Sequence, residues 1–549
     1  MDSSLNFEAV VVGTGFGGAT TACRLARAWP GKVMVLERGR RYPAGSFLRS
    51  DRFLRENLWN VAGETRKRFL PVRGDSRGPF DTLRFDHLDA VVAAGFGGGS
   101  LLYGNALKEP QFEAVYARWP ETLGLAHMKP YFDVVKDVLE ARTLPPAAGD
   151  PRRRIRRVDV YRDAAFNLGQ TTGLIELAIA FGPDRASLSP PGTPHVNAHG
   201  APQRSCTYCG QCILGCNVGA KNTLDVNYLR VAEQVHGAKV VTEARCEVVV
   251  PLDAGGADSP TSDGRHGYRV YFRDLTTGQP VSRTAQRVIL AAGSLATTEL
   301  LLRNREVHRT LPGLSAALGA GMSANGDFLG FVVGGPPDAD STYGPTLVDW
   351  IHHRDAKREI FVEQFVIPRD MVRWVLASLA PSHPRARRPF LALVDTLSRQ
   401  QRRVQALLLQ HSDSSTGKGA LDGQGHLGIR WPAHEQRGMD EFAIEVITQY
   451  RRAVGGSFDF IVPTWRAPLR RNFTVHPLGG AAAAVTPRDG VVSADPSTFG
   501  QAFGYRGLFV ADGATVPAAV GVNPALVIGA MGERVAAGIL GRSPTPTLL

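Results

Sequence analysis

Long apolar runs are missing from this 549-residue chain. No stretch of about 18 apolar residues occurs, so the sequence contains no membrane-spanning helix. Low-complexity tracts and internal repeats are absent too, and with 43% hydrophobic and 21% charged residues the composition is that of a globular protein. The N-terminus "MDSSLNFEAVVVGTGFGG" lacks a basic leader region and enters a strand directly, which predicts a cytoplasmic protein with reduced cysteines unless they are liganded. Cysteine is scarce, six in all, yet four of the six fall in the eleven residues "CTYCGQCILGC". The net charge of +12 comes from local runs, "PRRRIRRVDVYR", "HPRARRPF" and "RQQRRVQ", with no binding module or aromatic platform beside them. That excludes nucleic acid as the expected partner and leaves solvated faces or transient contact with an anionic membrane surface.

Glycine is plentiful, 60 residues, and its placement is informative. "FEAVVV" (7–12) reads as a buried strand. It is followed by the turn Gly13, Gly15, Phe16, Gly17, Gly18, then a helical pattern and a second strand, "KVMVLERG". In this strand–turn–helix–strand setting G-x-G-x-x-G lets a pyrophosphate approach backbone N–H groups at a helix N-terminus. Glu37 ends the second strand 24 residues after Gly13, where an acid would hold adenosine ribose hydroxyls and disfavour a 2′-phosphate.

A second cluster, "GFGGGSLLYGN", carries Gly97, Gly98, Gly99, Ser100 and Asn105; without Cβ atoms such backbone can lie flat on a large planar ligand. "QRVILAAGSLATTELLLRN" reads as strand, turn at Gly293, helix. The C-terminal "LFVADGATVPAAVGVNPALVIGAMGERVAAGIL" reads as a strand, Asp512-Gly513, an apolar loop, and a helix opened by Pro524 with Asn523 before it. Pieces of one nucleotide-binding fold spread over both termini and the middle are typical of FAD enzymes.

These motifs, with "CGQCILGCNVGAKNTLDVNYL", "HLGIRW" and "HPLGG", resemble the glucose–methanol–choline (GMC) oxidoreductases, and among them the bacterial cholesterol oxidase-like branch, over nearly the whole chain. The resemblance implies an α/β fold. A discontinuous Rossmann-like FAD-binding domain (1–110, 200–310, 470–549) would be joined by a substrate domain and lid (111–199, 311–469) with a mainly antiparallel sheet and flanking helices. Within 311–469, "GDFLGFVVGG", "EIFVEQFVI" and "HLGIRW" read as strands of that sheet, and "MVRWVLASLA" and "RVQALLLQ" as helices. The resemblance places His476 and Asn523 at the flavin ring, Asp512 at the ribityl–phosphate region and Glu363 as a buried catalytic acid. It implies oxidation of a hydrophobic alcohol by hydride transfer to flavin, with O2 or an external acceptor taking the electrons. The same fold also hosts non-oxidative flavin isomerases and lyases.

The spacing C-x2-C-x2-C-x3-C of Cys206, Cys209, Cys212 and Cys216 is that of bacterial ferredoxins without the following proline, since Asn217 stands there. An iron–sulfur cluster, a structural zinc and a metal-free turn with reduced thiols or one disulfide all fit the sequence. A cluster would make the protein a dehydrogenase. Cys23 and Cys246 read as core residues.

Overall fold

The computed structural model describes residues 5–50, 52–70, 74–111, 113–147, 149–378, 380, 383–461 and 470–548. The β-branched run Phe7–Val12 forms the centre of a seven-stranded sheet, paired in parallel with Val33–Leu36 on one side and with Ala285–Leu290 on the other. Lys239–Val241 extends one edge in parallel. The long strand Pro280–Leu290 has two halves with different partners. Its C-terminal half pairs in parallel with Leu508–Val510, and its N-terminal half turns into an antiparallel ribbon with Tyr268–Asp274 and Ala244–Pro251. The parallel strands are buried on both faces, as near-continuous Val/Leu/Ile runs require.

Helix Phe16–Ala28 covers one face and packs directly on the C-terminal helix Ala525–Leu540. Gly532 makes that approach possible, since a Cβ there would stand 2.2 Å from Thr20 Oγ1 and 2.5 Å from the Gly17 carbonyl oxygen, while Gly17 lets the first helix close on the end of the strand Leu508–Val510, where a Cβ would stand 1.5 Å from the Ala511 carbonyl oxygen. Between the helices Arg24 donates to both carboxylate oxygens of Glu533, at 2.8 and 2.9 Å, and Tyr228 Oη donates to the same carboxylate at 2.7 Å. All three side chains are buried. Arg24→Ala would strand the Glu533 charge in the core, and we expect a loss of about 3–5 kcal/mol in urea unfolding.

A second sheet has six strands, all antiparallel, in the order Phe458–Ile461, Phe328–Val333, Val404–Gln410, Glu359–Phe365, Asp349–Arg354, Thr171–Leu174. Helix Ala433–Ala453 and helix Arg156–Asn167 bury their apolar faces around Phe328, Val362, Leu407 and Leu409. Together the two sheets make the α/β architecture of a discontinuous dinucleotide domain with an antiparallel substrate domain.

Two expectations need correction. "RVQALLLQ" forms a strand, Val404–Gln410, because it sits in the middle of the sheet with both faces covered, and a short unbroken apolar run has no period to distinguish helix from strand. "HLGIRW" does form a strand, Leu427–Arg430, but it pairs only with Lys418–Leu421 in a separate ribbon. Among the described residues no helix is long and apolar enough to cross a membrane.

Candidate functional site

The first glycine turn is built for close approach. Gly13 has φ +104°, and a Cβ there would lie 2.1 Å from the Ala291 carbonyl oxygen; Gly18 is pressed equally close to the Gly13 carbonyl. Gly15, by contrast, faces open space and precedes helix Phe16–Ala28 with no side chain capping the helix N-terminus. The helix's first N–H groups are therefore left for an anion. The second cluster lies directly on this turn: a Cβ on Gly98 (φ +53°) would come within 2.6 Å of Gly15 Cα, and Gly97 N donates to Thr14 Oγ1 at 3.0 Å. Gly99, like Gly15, faces open space.

Glu37 stands at the end of its strand, buried. It accepts from Thr14 Oγ1 (2.5 Å), Thr14 N (3.2 Å) and Gly39 N (2.8 Å), and burial pushes its carboxyl above the usual range. Ser100 is engaged within the protein, donating to the Gly97 carbonyl and accepting from Leu224 N, so it pins the cradle to the segment after the cysteines. Asp512 is similarly occupied. Its carboxylate accepts from Gly293 N (2.8 Å), Thr297 Oγ1 (2.5 Å) and Ala514 N (2.8 Å), tying the turns at Gly293 and Gly513 together, and burial raises its pKa to about 6. Asn105 is different. It is fully buried at φ +70°, and neither carboxamide atom has a hydrogen-bond partner.

An orphaned buried amide implies a group that completes it. Gly15, Gly99 and Gly293 each present an open side, and the helix N-terminus is unsatisfied; with Asn105 these features fit the FAD that the sequence resemblance implies. We expect Asn105→Gly, which deletes the amide while relaxing the left-handed backbone, to weaken FAD binding about tenfold or more by titration of the apoprotein, with its thermal midpoint preserved.

At the other end, four separate segments bring acid–base groups together. His476 follows the short strand Asn472–Thr474, and its Nδ1 lies 2.9 Å from Asp327 Oδ1. Asp327 is buried and held by Thr474 Oγ1 (2.9 Å), Val475 N (3.1 Å) and Gln410 Nε2 (3.2 Å). A carboxylate on Nδ1 fixes the proton there and leaves Nε2 as the free acceptor. Glu363, in the middle of strand Glu359–Phe365, is 1% exposed; Asn523 Nδ2 donates to its two oxygens at 2.7 and 2.6 Å. Burial raises the Glu363 pKa to about 7, while Asn523, His476 and Lys108 pull it back. The Lys108 amine, nearly buried and 4.3 Å from the Trp350 ring, is lowered to about 8 by the same desolvation.

Asn523 therefore faces the carboxylate; it does not cap the last helix. The helix starts at Ala525, with Pro524 in the capping position and no side chain satisfying its N-terminus. Asn325 sets this loop, accepting from Val520 N and Gly521 N and donating to the Val522 carbonyl. Asp327, Gln410, Asn325 and Lys108 were not singled out from sequence. An acid and an amide in "ANGDF" with the left-handed Asn325 were the available signal.

All six cysteines are free thiols. Among the described residues no three Cys, His, Asp or Glu side chains converge closely enough to hold one metal ion, so the zinc and disulfide readings of Cys206, Cys209, Cys212 and Cys216 are set aside.

The chain is 30% identical to a cholesterol oxidase of Mycobacterium tuberculosis, over 97% of this chain and 90% of that one. It is 27% identical to a cholesterol oxidase of Acinetobacter baumannii over 97% and 94%. A long-chain-alcohol oxidase of Arabidopsis thaliana is 25% identical over 58% of this chain and 44% of its own. The fold superposes on the crystal structure of pyridoxine 4-oxidase from Mesorbium loti with a TM-score of 0.62 at 14% identity, covering 98% of this chain and all of that one. Because the GMC oxidoreductase profiles match residues 8–305, more than half of the chain, and residues 448–532, this protein belongs to the GMC oxidoreductase family, the FAD-dependent alcohol oxidoreductases.

Proposed function

We propose that the protein oxidises the CH–OH group of a hydrophobic alcohol, sterol-like, polycyclic or long-chain. The observation that carries the proposal is the meeting of two preorganised pairs, Asp327–His476 and Glu363–Asn523, drawn from four distant segments. The uncommitted His476 Nε2 accepts the hydroxyl proton as the carbinol C–H bond breaks, and Asp327 stabilises the imidazolium that results. Bound FAD supplies the two-electron acceptor for the hydride. Glu363, about half ionised near neutral pH, is placed in its carboxylate form to take and return a further proton, so a substrate with a β,γ-double bond would leave as the conjugated ketone.

The names of the aligned relatives support the hydrophobic class, as does the pair of buried Phe361 and partly buried Trp350 beside Lys108. Within the proposal the enzyme is cytoplasmic, with O2 or an external acceptor reoxidising it and with passing contact at a membrane surface where such alcohols dissolve. A panel of sterols, polycyclic alcohols, long-chain primary alcohols and sugars added anaerobically to the yellow protein tests it. Bleaching by the first three groups is expected; bleaching by sugars alone, or by no alcohol, overturns it.

A further inference from the structure

The four clustered cysteines play no part in the acid–base site, yet the fold arranges them with care. Cys206, Cys209, Cys212 and Cys216 all line one cavity of about 130 Å³. That is room for about four waters at about 30 Å³ each. Left-handed turns wrap the loop around it. Gly210 (φ +71°) is pressed against the Thr342 carbonyl, where a Cβ would come within 2.2 Å, and Gly215 (φ +87°) lies equally close to the Phe47 ring. Two of the sulfurs already accept backbone N–H groups, Cys206 Sγ from Tyr208 N at 3.4 Å and Cys216 Sγ from Ala220 N at 3.3 Å.

No carboxylate lines this cavity, but a cation does. Lys221 is buried in its wall, with Nζ donating to the carbonyls of Cys212 (3.1 Å), Leu101 (3.0 Å) and Tyr103 (2.9 Å). Arg49 reaches the same loop through Gln211 Oε1 and the Gly215 carbonyl. The hydrogen bonds of this amine go to carbonyls, with the buried Asp225 carboxyl acting on it through space, and negative charge in the cavity would lower the cost of burying it further. Four thiols that line one cavity without grouping, among the described residues, around a single ion, whose thiolates would need sulfur within about 2.3 Å of it, suit a multinuclear group that spreads them over several metal atoms.

We propose that Cys206, Cys209, Cys212 and Cys216 bind an iron–sulfur cluster of the [4Fe–4S] type, with Lys221 as the buried counter-charge. The N–H···S contacts and the nearby cations are the features that set such a cluster's potential. Lys221 also fixes its place: its other two carbonyl partners, Leu101 and Tyr103, lie between Gly99 and Asn105, so the cysteine cavity abuts the FAD cradle. Cys206 and Cys212 are buried while Cys209 is exposed, so the cluster lies between the cradle and solvent. Oxidation of one alcohol to a carbonyl releases two electrons and two protons. Through this cluster the electrons leave singly, reducing two equivalents of a one-electron acceptor such as a haem protein, and the protons go to water.

The site goes beyond the proposed alcohol oxidation, and its test is separate. Full-length protein purified without oxygen should contain about four irons and about four acid-labile sulfides per chain, with a charge-transfer band outside the flavin spectrum that dithionite bleaches. Cys209→Ser, at an exposed position where folding is not at risk, should lose the iron and the reduction of ferricenium while keeping FAD content and anaerobic bleaching by alcohol. Less than about a tenth of an iron per chain, after reconstitution with ferrous ion and sulfide, overturns the proposal. So does one zinc per chain without sulfide, or full iron retention in both Cys209→Ser and Cys212→Ser.

Discussion

His476→Ala slows anaerobic flavin bleaching by an alcohol by about 10²- to 10⁴-fold while FAD content stays at the wild-type level. The magnitude follows from what the side chain is committed to. Nδ1 is held by Asp327 at 2.9 Å, so Nε2 is the ring atom left to meet a hydroxyl, and truncation removes that acceptor. FAD content is expected to hold because no backbone of the glycine cradle depends on this ring. Asp327→Asn is the sharper companion. An amide opposite Nδ1 can donate to it, which moves the ring proton to Nε2 and turns the acceptor into a donor. We expect that variant to approach the His476→Ala rate, by about 10²-fold or more, although the histidine is still present. Bleaching undiminished in His476→Ala removes the imidazole from the reaction. Full activity in Asp327→Asn would leave His476 in place and discard the tautomer argument.

The glycine cradle was legible in the sequence because its constraint is local. Gly13, Gly18 and Gly98 are excluded from having side chains by backbone within a few ångströms, and such positions leave a fixed spacing behind. The parallel strands were legible for a related reason, since burial on both faces leaves a run of Val and Leu. The acid–base centre was half legible. His476, Asn523 and Glu363 stood in motifs, but Asp327 and Gln410 are ordinary polar residues whose role comes from tertiary placement 149 and 66 residues from His476. Asp512 shows the opposite limit. The resemblance implies Asp512 at the ribityl–phosphate region, and the sequence gives no sign of the three internal donors, Gly293 N, Thr297 Oγ1 and Ala514 N, that its carboxylate accepts from. In the second sheet the misread strand Val404–Gln410 lost its alternation because neighbours cover both faces, so only pairing with Phe328–Val333 and Glu359–Phe365 could identify it.

Glu363→Gln should remove a pH dependence of stability as well as of rate. Burial lifts the Glu363 carboxyl from 4.5 to about 7, so the folded state holds a proton that the unfolded chain gives up. For a carboxyl raised in this way the favourable contribution is fully present below about pH 4.5. It is lost as pH rises through about 7, a span of about 2.5 units or about 3 kcal/mol. Urea titrations of parent and Glu363→Gln should therefore diverge with increasing pH, the variant gaining on the parent by up to about 3 kcal/mol between pH 4.5 and 8. A constant difference across that range would mean that the carboxylate is not desolvated. The rate behaves in the reverse sense, because the base is the ionised form. Turnover of a substrate whose double bond moves should rise with pH through about 7 in the parent and lose that limb in the variant. Asn523 supplies the check on cause. Its amide donates to both oxygens and favours the ionised carboxylate, so Asn523→Ala should carry the limb upward by about one pH unit. The neighbouring Lys108, lowered to about 8, loses about half its charge over the same span, which withdraws support from the carboxylate and adds to the upward move. A limb that stays in place in Asn523→Ala would assign the titration to another group.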